Sequence, residues 1–357
     1  MSTTSNSSGR GWVVLVAAIT LAVGAPVSQG KPVADPAPGL ARAFAAHDRS
    51  SDQLLERQAI VGTAVGLEAG EAVVRVLTTR PGIRRIPDSV NGVPVDADVT
   101  GRILALHHRP GHSGGPGGGG GGGDDPPGPS LSPTDVWPRP VPIGISTGNA
   151  GRCSAGTIGA RVSSGSSVYA LSNNHVYALQ NQAALGSSVL QPGRLDTNCA
   201  VDPANVLGEL AAFEPLRFDG SANTIDAAIA STSSAALGAG TPPDGYGAPS
   251  GAAVAASLGQ AVQKYGRTTG LTAATVSGLD ASVEIGYGAN TALFVDQVIA
   301  EGRKPFLKSG DSGSLAVTDP GRDAVGLLFA SDPSGKLAIA NDIQRVLGRF
   351  GVTIDGG

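Results

Sequence analysis

The chain has 357 residues, of which 41% are apolar, 15% are charged and only 4% are aromatic, with 53 glycines and 25 prolines. The net charge of −4 offers no basic surface that could follow a phosphate backbone, so we expect no nucleic-acid partner. The length predicts two domains, or three. The abundance of small and turn-forming residues favours a mainly β protein over a helical bundle.

The amino terminus is typical of a secretory signal segment. Arg10 is the only charged residue before an uncharged, mostly apolar run, Gly11–Val27. Ala25 and Gly30 are small residues that could mark a cleavage position. The alternative is a retained membrane anchor, because the run nearly reaches the length that spans a bilayer. We expect residues 1–30 to be a signal peptide and the protein to be secreted or periplasmic.

The chain has only two cysteines, Cys153 and Cys199. In an exported protein an even number of cysteines suggests a disulfide. Two isolated thiols without a pair of histidines make a poor zinc site, so we expect neither a metal nor another cofactor.

Residues 40–108 have the pattern of a small α+β domain. The stretch DRSSDQLLERQ indicates a short helix, and IVGTAVGL and AVVRVLT, on either side of EAGE, indicate two strands of a hairpin. Asn91-Gly92 is a turn signal within the next segment. No reactive set of side chains occurs here, so we expect this domain to bind the rest of the chain or another protein.

The tract GHSGGPGGGGGGGDDPPGPSLSP follows this domain and can bury almost nothing. A phosphate-binding loop would need a strand before the glycines and a Lys-Ser or Lys-Thr after them, and neither is present. We therefore expect a linker over 109–137, with His107 and His108 solvated beside it.

Short apolar segments alternate with turn residues over 138–357, which is typical of a β-barrel or a β-sandwich. The carboxyl-terminal stretch NDIQRVLGRF differs, because its apolar residues recur at helical spacing and Asn341 or Asp342 can cap a helix. We expect many strands closed by one terminal helix. The predicted strands are GTIGARV, SSVYALSN, NVLGELAAF, NTIDAAIA, AATVSGL, TALFVDQVIA, SLAVTD and DAVGLLFA.

A serine near the carboxyl end lies in the sequence Gly310-Asp311-Ser312-Gly313. Such a turn can hold the serine hydroxyl outward and aim backbone N–H groups at one point, but these residues are also the commonest in ordinary turns. A nucleophilic serine needs a neighbouring base, because its hydroxyl is almost un-ionised at neutral pH.

Of the five histidines, only His175 lies in the strand-rich region, at the end of an apolar segment. The alternative to a base is an ordinary surface histidine. A histidine base needs a carboxylate to orient its other ring nitrogen. Asp226 lies among apolar residues, where a carboxylate is costly unless it is paired. Asp219 is the rival, but its Phe-Asp-Gly turn explains it, so we predict a site of His175, Asp226 and Ser312.

The order of these three residues resembles the chymotrypsin/trypsin superfamily of serine proteases. The stretch GRTTGLTAATVSG is similar to its bacterial secreted members. CSAGTIGARV and LSNNHV resemble the branch that contains the plant NARROW LEAF-type serine protease and its bacterial relatives. The resemblance covers about 145–350 and implies a double β-barrel with a carboxyl-terminal helix.

The resemblance also implies a role for each residue. Ser312 is the nucleophile, His175 the general base and acid, and Asp226 the carboxylate that orients the imidazole. The backbone N–H groups of Gly310 and Ser312 form the oxyanion hole, where each donor is typically worth a few kcal/mol in the transition state. Asp311 organises the turn and is not a catalyst.

Phe306, six residues before the nucleophile, corresponds to the base of the primary substrate pocket. It implies a preference for small or apolar side chains, although Lys308 nearby could attract an acidic one. Two positions depart from the family: Val176 replaces a cysteine that often follows the histidine, and Ser314 replaces the second glycine of GDSGG.

We therefore expect a serine endopeptidase that acts on protein or peptide substrates. The alternative is a protease-like binding or scaffolding module without turnover. A third possibility, an esterase, is disfavoured because the Gly-x-Ser-x-Gly elbow is absent and the order His–Asp–Ser differs from that fold.

Overall fold

The structure is a computed structural model, and it describes residues 39–83, 86–106 and 131–357. The predicted signal segment, the two histidines before the linker and the linker up to residue 130 lie outside the described residues. None of the helices in the described part combines the length and the apolarity that crossing a membrane requires.

The described residues form three α-helices and nineteen β-strands. The helices are α1 (Leu40–Leu55), α2 (Asn174–Tyr177) and α3 (Ile343–Phe350). The strands, in chain order, are β1 (Ile60–Glu68), β2 (Glu71–Thr78), β3 (Ser89–Val90), β4 (Val93–Val99), β5 (Ile103–Ala105), β6 (Ser146–Asn149), β7 (Gly156–Thr157), β8 (Ala160–Ser164), β9 (Ser167–Ser172), β10 (Ser188–Leu190), β11 (Val206–Phe213), β12 (Ala228–Thr232), β13 (Ala261–Gly266), β14 (Gly270–Tyr287), β15 (Asn290–Glu301), β16 (Leu315–Thr318), β17 (Ala324–Ser331), β18 (Leu337–Asp342) and β19 (Thr353–Ile354).

The first sheet has eight strands in the order β19-β8-β9-β12-β11-β10-β6-β7, and every pairing in it is antiparallel. Its apolar interior includes Ile143, Ile145, Leu210 and Ala230, all buried. Trp137, at the end of the predicted linker, packs against the same cluster. The central strands β9 and β12 are paired, with Ser172 at the end of β9 opposite Ala228 at the start of β12.

The second sheet contains a closed ring of six antiparallel strands, β13-β16-β17-β18-β15-β14, because β14 pairs again with β13. Helix α3 follows β18 and buries Ile343, Val346 and Leu347. Of the two predicted caps, Asp342 is the one used, and it accepts hydrogen bonds from the backbone of the first turn. The predicted mainly β fold, a chymotrypsin-type double barrel with a carboxyl-terminal helix, is confirmed.

The amino-terminal residues add strands to the edge of this second sheet. Strand β14 is long enough to leave the ring, and β1 pairs with it from Gly62 opposite Val283. The sheet then continues through β2, β4 and β3. The Asn91-Gly92 turn between β3 and β4 is as predicted, with positive φ at both residues.

Helix α1 packs on β1 and β2 and differs from its prediction. It begins already at Leu40, before the DRSS stretch, because Ala43, Ala46 and Leu54 are buried in the same apolar cluster as the strands. His47 in this helix is also buried, and its Nδ1 lies 3.2 Å from Asp280 Oδ2 on β14. Burial on one face therefore extends the helix beyond the part that the sequence pattern marks.

The predicted disulfide is present. Cys153 and Cys199 are bonded, with their Cα atoms 5.0 Å apart and a sequence separation of 46 residues. The loop that precedes the second cysteine is held by Arg194, whose guanidinium donates to the Cys199 carbonyl from Nε at 3.0 Å. Asp196 in this loop forms a buried ion pair with Arg267, at the end of β13. The disulfide shapes this loop at the edge of the first sheet, and the Asp196–Arg267 ion pair joins the loop to the second sheet.

Candidate active site

The Gly310–Gly313 turn lies directly before β16. Gly310 and Gly313 have φ values of +98° and +93°, a region of the backbone map that glycine adopts at little cost. A Cβ at Gly310 would lie 2.4 Å from Thr268 Oγ1, and one at Gly313 would lie 2.2 Å from Ser172 Oγ. The two glycines therefore permit a turn that no other residue type could form here without displacing its neighbours.

Asp311 is fully buried and holds the turn from inside. Its carboxylate accepts hydrogen bonds from the backbone N–H of Lys308 at 2.9 Å, of Thr268 at 2.8 Å and of Thr269 at 3.2 Å. The Thr269 hydroxyl also donates to it, at 2.7 Å. These bonds agree with the predicted structural role of Asp311.

Lys264 on β13 is the cation that the sequence pattern did not identify. Its Nζ lies 3.5 Å from Asp311 Oδ2, and both side chains are fully buried. Burial lowers the pKa of Lys264, while the Asp311 carboxylate opposes that shift. Lys264 is distant from Asp311 in the sequence, so their pairing can be recognised only from the folded structure, in which β13 lies beside the turn.

His175 lies in the single turn of helix α2, just after β9, and is buried. Its ring Nδ1 lies 2.5 Å from Asp226 Oδ2, and its backbone N–H donates to Asp226 Oδ1 at 3.1 Å. Both side chains are fully excluded from solvent. The structure therefore brings together the predicted histidine and the predicted carboxylate, through both oxygens of the carboxylate.

Asp226 lies just before β12, and three neighbouring side chains hold it. The Tyr287 hydroxyl donates to its Oδ2 at 2.7 Å. The Asn341 side-chain carbonyl accepts the Asp226 N–H at 2.8 Å, and Asn173 Nδ2 donates to the Asp226 carbonyl at 2.8 Å. The sequence pattern gives no sign of a role for Tyr287 and predicts Asn341 only as a possible helix cap. Both lie more than 60 residues from Asp226 in the chain, so no local pattern links them to it.

Tyr287 is buried beside the imidazole as well as beside the carboxylate. Its ring meets the His175 ring edge to face, with the centroids 5.9 Å apart. Burial, and then the negative charge of Asp226, raise the pKa of Tyr287 well above its ordinary value. The hydroxyl therefore stays protonated and serves as a donor to Asp226 throughout the neutral and mildly alkaline range.

Ser312 lies on the other sheet, in the turn before β16, and is buried. Its hydroxyl donates to the Phe329 carbonyl of β17 at 3.2 Å. Its own carbonyl accepts the N–H of Thr157 in β7, at 2.8 Å. The Thr157 hydroxyl in turn donates to the Gly310 carbonyl at 2.8 Å. Two hydrogen bonds from the first sheet therefore fix the Gly310–Gly313 turn where the two sheets meet.

The remaining predicted residues occupy different environments. Phe306 is fully buried in the apolar cluster that includes Leu307 and Leu328. Asp219 is exposed, and its carboxylate accepts the N–H of Ser221 at 3.0 Å, as expected for a turn residue. Hydrogen bonds within that turn lower the pKa of Asp219.

Comparison with known proteins gives solved structures only. No family model matches the chain, and no curated protein matches it. It is similar to a glutamic acid specific serine protease described as using a histidine triad in substrate binding (22% identity, TM-score 0.44, covering 60% of this chain and 100% of that one). It is also similar to protease A of Thermobifida fusca (20% identity, TM-score 0.44, 61% and 100%) and to the chymotrypsin of Cellulomonas bogoriensis (20% identity, TM-score 0.40, 60% and 98%). The three structures named here are serine proteases of low sequence identity to this chain.

Proposed function

We propose that the protein is a serine endopeptidase of the chymotrypsin type, with Ser312 as nucleophile, His175 as general base and acid, and Asp226 as the orienting carboxylate. The observation that supports this most strongly is the buried contact of His175 Nδ1 with Asp226 Oδ2, at 2.5 Å. A carboxylate on this nitrogen leaves the other ring nitrogen to accept a proton.

The chemistry follows from these roles. Ser312 Oγ attacks the carbonyl carbon of the substrate and passes its proton to His175. The backbone N–H groups of Gly310 and Ser312 stabilise the negative charge that develops on the carbonyl oxygen. The peptide C–N bond then breaks, the leaving amine takes the proton from His175, and water hydrolyses the ester formed at Ser312 in the same way.

The resemblance to the protease superfamily is the ground on which we propose that the primary pocket lies beside Phe306. Phe306, Leu307 and Leu328 are all buried there. This environment favours an apolar substrate side chain over a charged one, because an unpaired charge is costly among apolar groups. Export from the cell and the narrower resemblance to the NARROW LEAF-type branch stay predictions.

The experiment that tests this proposal is labelling with a fluorophosphonate probe, which reacts with activated serines, together with hydrolysis of casein. We expect the wild type to be labelled and Ser312→Ala to be unlabelled. Ser309→Ala, in the same turn, is the matched control and should still be labelled. A folded wild type that neither reacts with the probe nor hydrolyses casein would contradict the proposal and favour a binding module.

A double-mutant comparison tests whether the residues act together. Ser312→Ala and His175→Ala should each remove most of the turnover, and the double variant should be scarcely worse than either, because each substitution disables the same step. Losses that multiply would show that the two residues act independently.

A further inference from the structure

The two backbone N–H groups proposed for the oxyanion hole belong to peptide groups whose carbonyl ends accept hydrogen bonds from hydroxyls. A peptide group is planar and trans, so its N–H and its C=O point in opposite directions. The Gly310 N–H shares its peptide group with the Ser309 carbonyl, and the Ser312 N–H shares its peptide group with the Asp311 carbonyl. The groups that hold these two carbonyls therefore set the direction of the two N–H groups.

The Ser309 carbonyl is held from a distant part of the chain. Thr268, between β13 and β14, donates its hydroxyl hydrogen to the Ser309 carbonyl oxygen at 2.7 Å. The backbone N–H of Thr268 donates to the Asp311 carboxylate at 2.8 Å. At the other end of the peptide group, the Gly310 N–H donates to the carbonyl of Leu106 at 3.1 Å. Thr268 therefore binds one end of this peptide group and leaves the other end able to bind a carbonyl oxygen.

Arg267 determines the direction in which the Thr268 hydroxyl points. Its Nη1 lies 3.1 Å from Thr268 Oγ1, and a guanidinium can only donate. The Thr268 oxygen is therefore the acceptor in this bond, and its hydrogen is left for the Ser309 carbonyl. Arg267 is itself held by the buried ion pair with Asp196 in the disulfide loop, to which its Nε donates at 2.8 Å.

This peptide group needs a restraint because residue 310 is glycine. Gly310 has a φ of +98°, and glycine adopts positive and negative φ with similar ease. The Ser309–Gly310 peptide could therefore turn over at little cost to the backbone, which would put a carbonyl oxygen in the place of the N–H. A carbonyl oxygen there would repel the negative charge that develops on the substrate.

The Ser312 N–H is restrained within the turn itself. The Asp311 carbonyl accepts the backbone N–H of Ser314 at 3.0 Å, and it also accepts the Ser314 hydroxyl. The backbone bond can form whichever residue occupies position 314. The direction of the Gly310 N–H therefore depends more on a single side chain than the direction of the Ser312 N–H does.

We infer that Thr268 is a positioning residue for the oxyanion hole, and that its hydroxyl keeps the Ser309–Gly310 peptide in the orientation that catalysis needs. This inference rests on the proposed function. Thr268 acts through the peptide group that it holds and not by touching the substrate. Its loss should therefore weaken binding of the transition state and leave binding of the substrate nearly unchanged.

The test uses the full chain, a peptide p-nitroanilide with leucine before the scissile bond, and the aldehyde of the same peptide. Thr268→Val removes the hydroxyl and keeps the shape of the side chain. It should lower kcat at least about tenfold and change KM by less than about twofold, since outright loss of an oxyanion donor typically costs roughly 10²–10³ in kcat. The aldehyde adduct of Ser312 places its oxygen in the hole, so aldehyde binding should weaken by the same factor as kcat/KM.

Two matched variants show whether the hydroxyl is responsible. Thr268→Ser keeps the hydroxyl and should retain at least about half of the wild-type kcat. Thr275→Val, at an exposed threonine of β14, is the control and should keep the wild-type kcat. A merely structural role for Thr268 would instead weaken binding of the aldehyde and of the cleaved peptide product equally, and this result would overturn the inference.

The outcomes separate this inference from the proposed function. A wild type that reacts with the fluorophosphonate probe and hydrolyses casein, beside an equally active Thr268→Val, would overturn the inference alone. If the p-nitroanilide is not cleaved, the rate of fluorophosphonate labelling decides, because the phosphoryl oxygen of the probe occupies the same hole. If Thr268→Val does not fold, Thr268→Ala decides by the same measurements. A folded wild type without labelling or hydrolysis would overturn both proposals.

Discussion

Tyr287 is a neighbour of Asp226 that the sequence does not predict. Its hydroxyl donates to the carboxylate oxygen that also contacts His175, at 2.7 Å and 2.5 Å respectively. A second donor on this oxygen restrains the carboxylate in one rotamer, and hydrogen bonds to a charged group are among the stronger ones in proteins. We therefore regard Tyr287 as a positioning residue for Asp226.

Tyr287→Phe should lower kcat about tenfold and leave KM nearly unchanged, because the imidazole is less firmly held while the pocket is intact. The free energy of unfolding should fall by roughly 1–3 kcal/mol. The pKa of Tyr287 lies well above its usual value, so the wild-type hydroxyl is protonated at both pH 7 and pH 9. The fall in kcat should therefore be equal at the two pH values, measured by steady-state kinetics. Tyr246→Phe, at a partly buried tyrosine packed against a different apolar cluster, is the control and should keep wild-type kcat.

The two candidate carboxylates can be separated by matched substitutions. Asp226→Asn should fold but lose about four orders of magnitude in kcat, as expected when the imidazole is held in the wrong tautomer. Asp219→Asn should be almost silent, because this side chain is exposed and bonds only within its own turn. Kinetics on both variants with one peptide substrate is the measurement. An essential Asp219 beside a dispensable Asp226 would refute the site.

At the scale of elements, the Gly310–Gly313 turn depends on a buried charge pair with another strand. Lys264 on β13 and Asp311 in the turn are both fully buried, 3.5 Å apart. Removing one partner of such a pair leaves an uncompensated charge, which is usually more costly than replacing both. The pair therefore couples the shape of the turn to the closure of the six-stranded ring.

Lys264→Met should lower the free energy of unfolding by about 3–5 kcal/mol, measured by urea titration. The double variant Lys264→Met/Asp311→Asn should recover part of this loss, because no charge is then left buried. Asp311→Asn also weakens the bonds that hold the turn, so the double variant should remain less active than the wild type. Equal stability of the single and double variants would contradict the coupling.

At the scale of the whole molecule, the proposed site forms where two sheets meet. His175 and Asp226 come from the eight-stranded sheet, and Ser312 comes from the ring of six strands. The disulfide loop adds a further connection, because Asp196 in it pairs with Arg267 and accepts a bond from Ser146 Oγ at 2.5 Å. A substitution that weakens the contacts between the two sheets should therefore lower both the stability and the activity of the protein.

The double variant Cys153→Ala/Cys199→Ala removes a cross-link between residues 46 apart in the chain. On the chain-entropy model, its free energy of unfolding should fall by about 4 kcal/mol. Chemical denaturation of the oxidised wild type, the reduced wild type and the variant is the measurement. The reduced wild type should resemble the variant, and a variant as stable as the oxidised protein would contradict the prediction.

The sequence by itself determined the strand-rich region, the terminal helix and the turn at Asn91-Gly92, because alternation, helical spacing and turn residues are local properties of the chain. It also indicated a disulfide from the count of cysteines. It singled out His175 and Asp226 by their chemical types, and these two residues prove to be in contact.

Only the tertiary structure decided which distant residues surround that pair and the turn that carries Ser312. Tyr287, Asn341 and Lys264 are ordinary in their local sequence, and they matter because strand pairing places them beside buried charged or polar groups. Leu106 likewise belongs to a short apolar stretch before a glycine tract, and only the folded chain places its carbonyl beside the Gly310 N–H and its own N–H beside the Phe329 carbonyl of β17. Contacts between residues so far apart in the chain depend on which strands and turns meet, and no local pattern encodes that meeting.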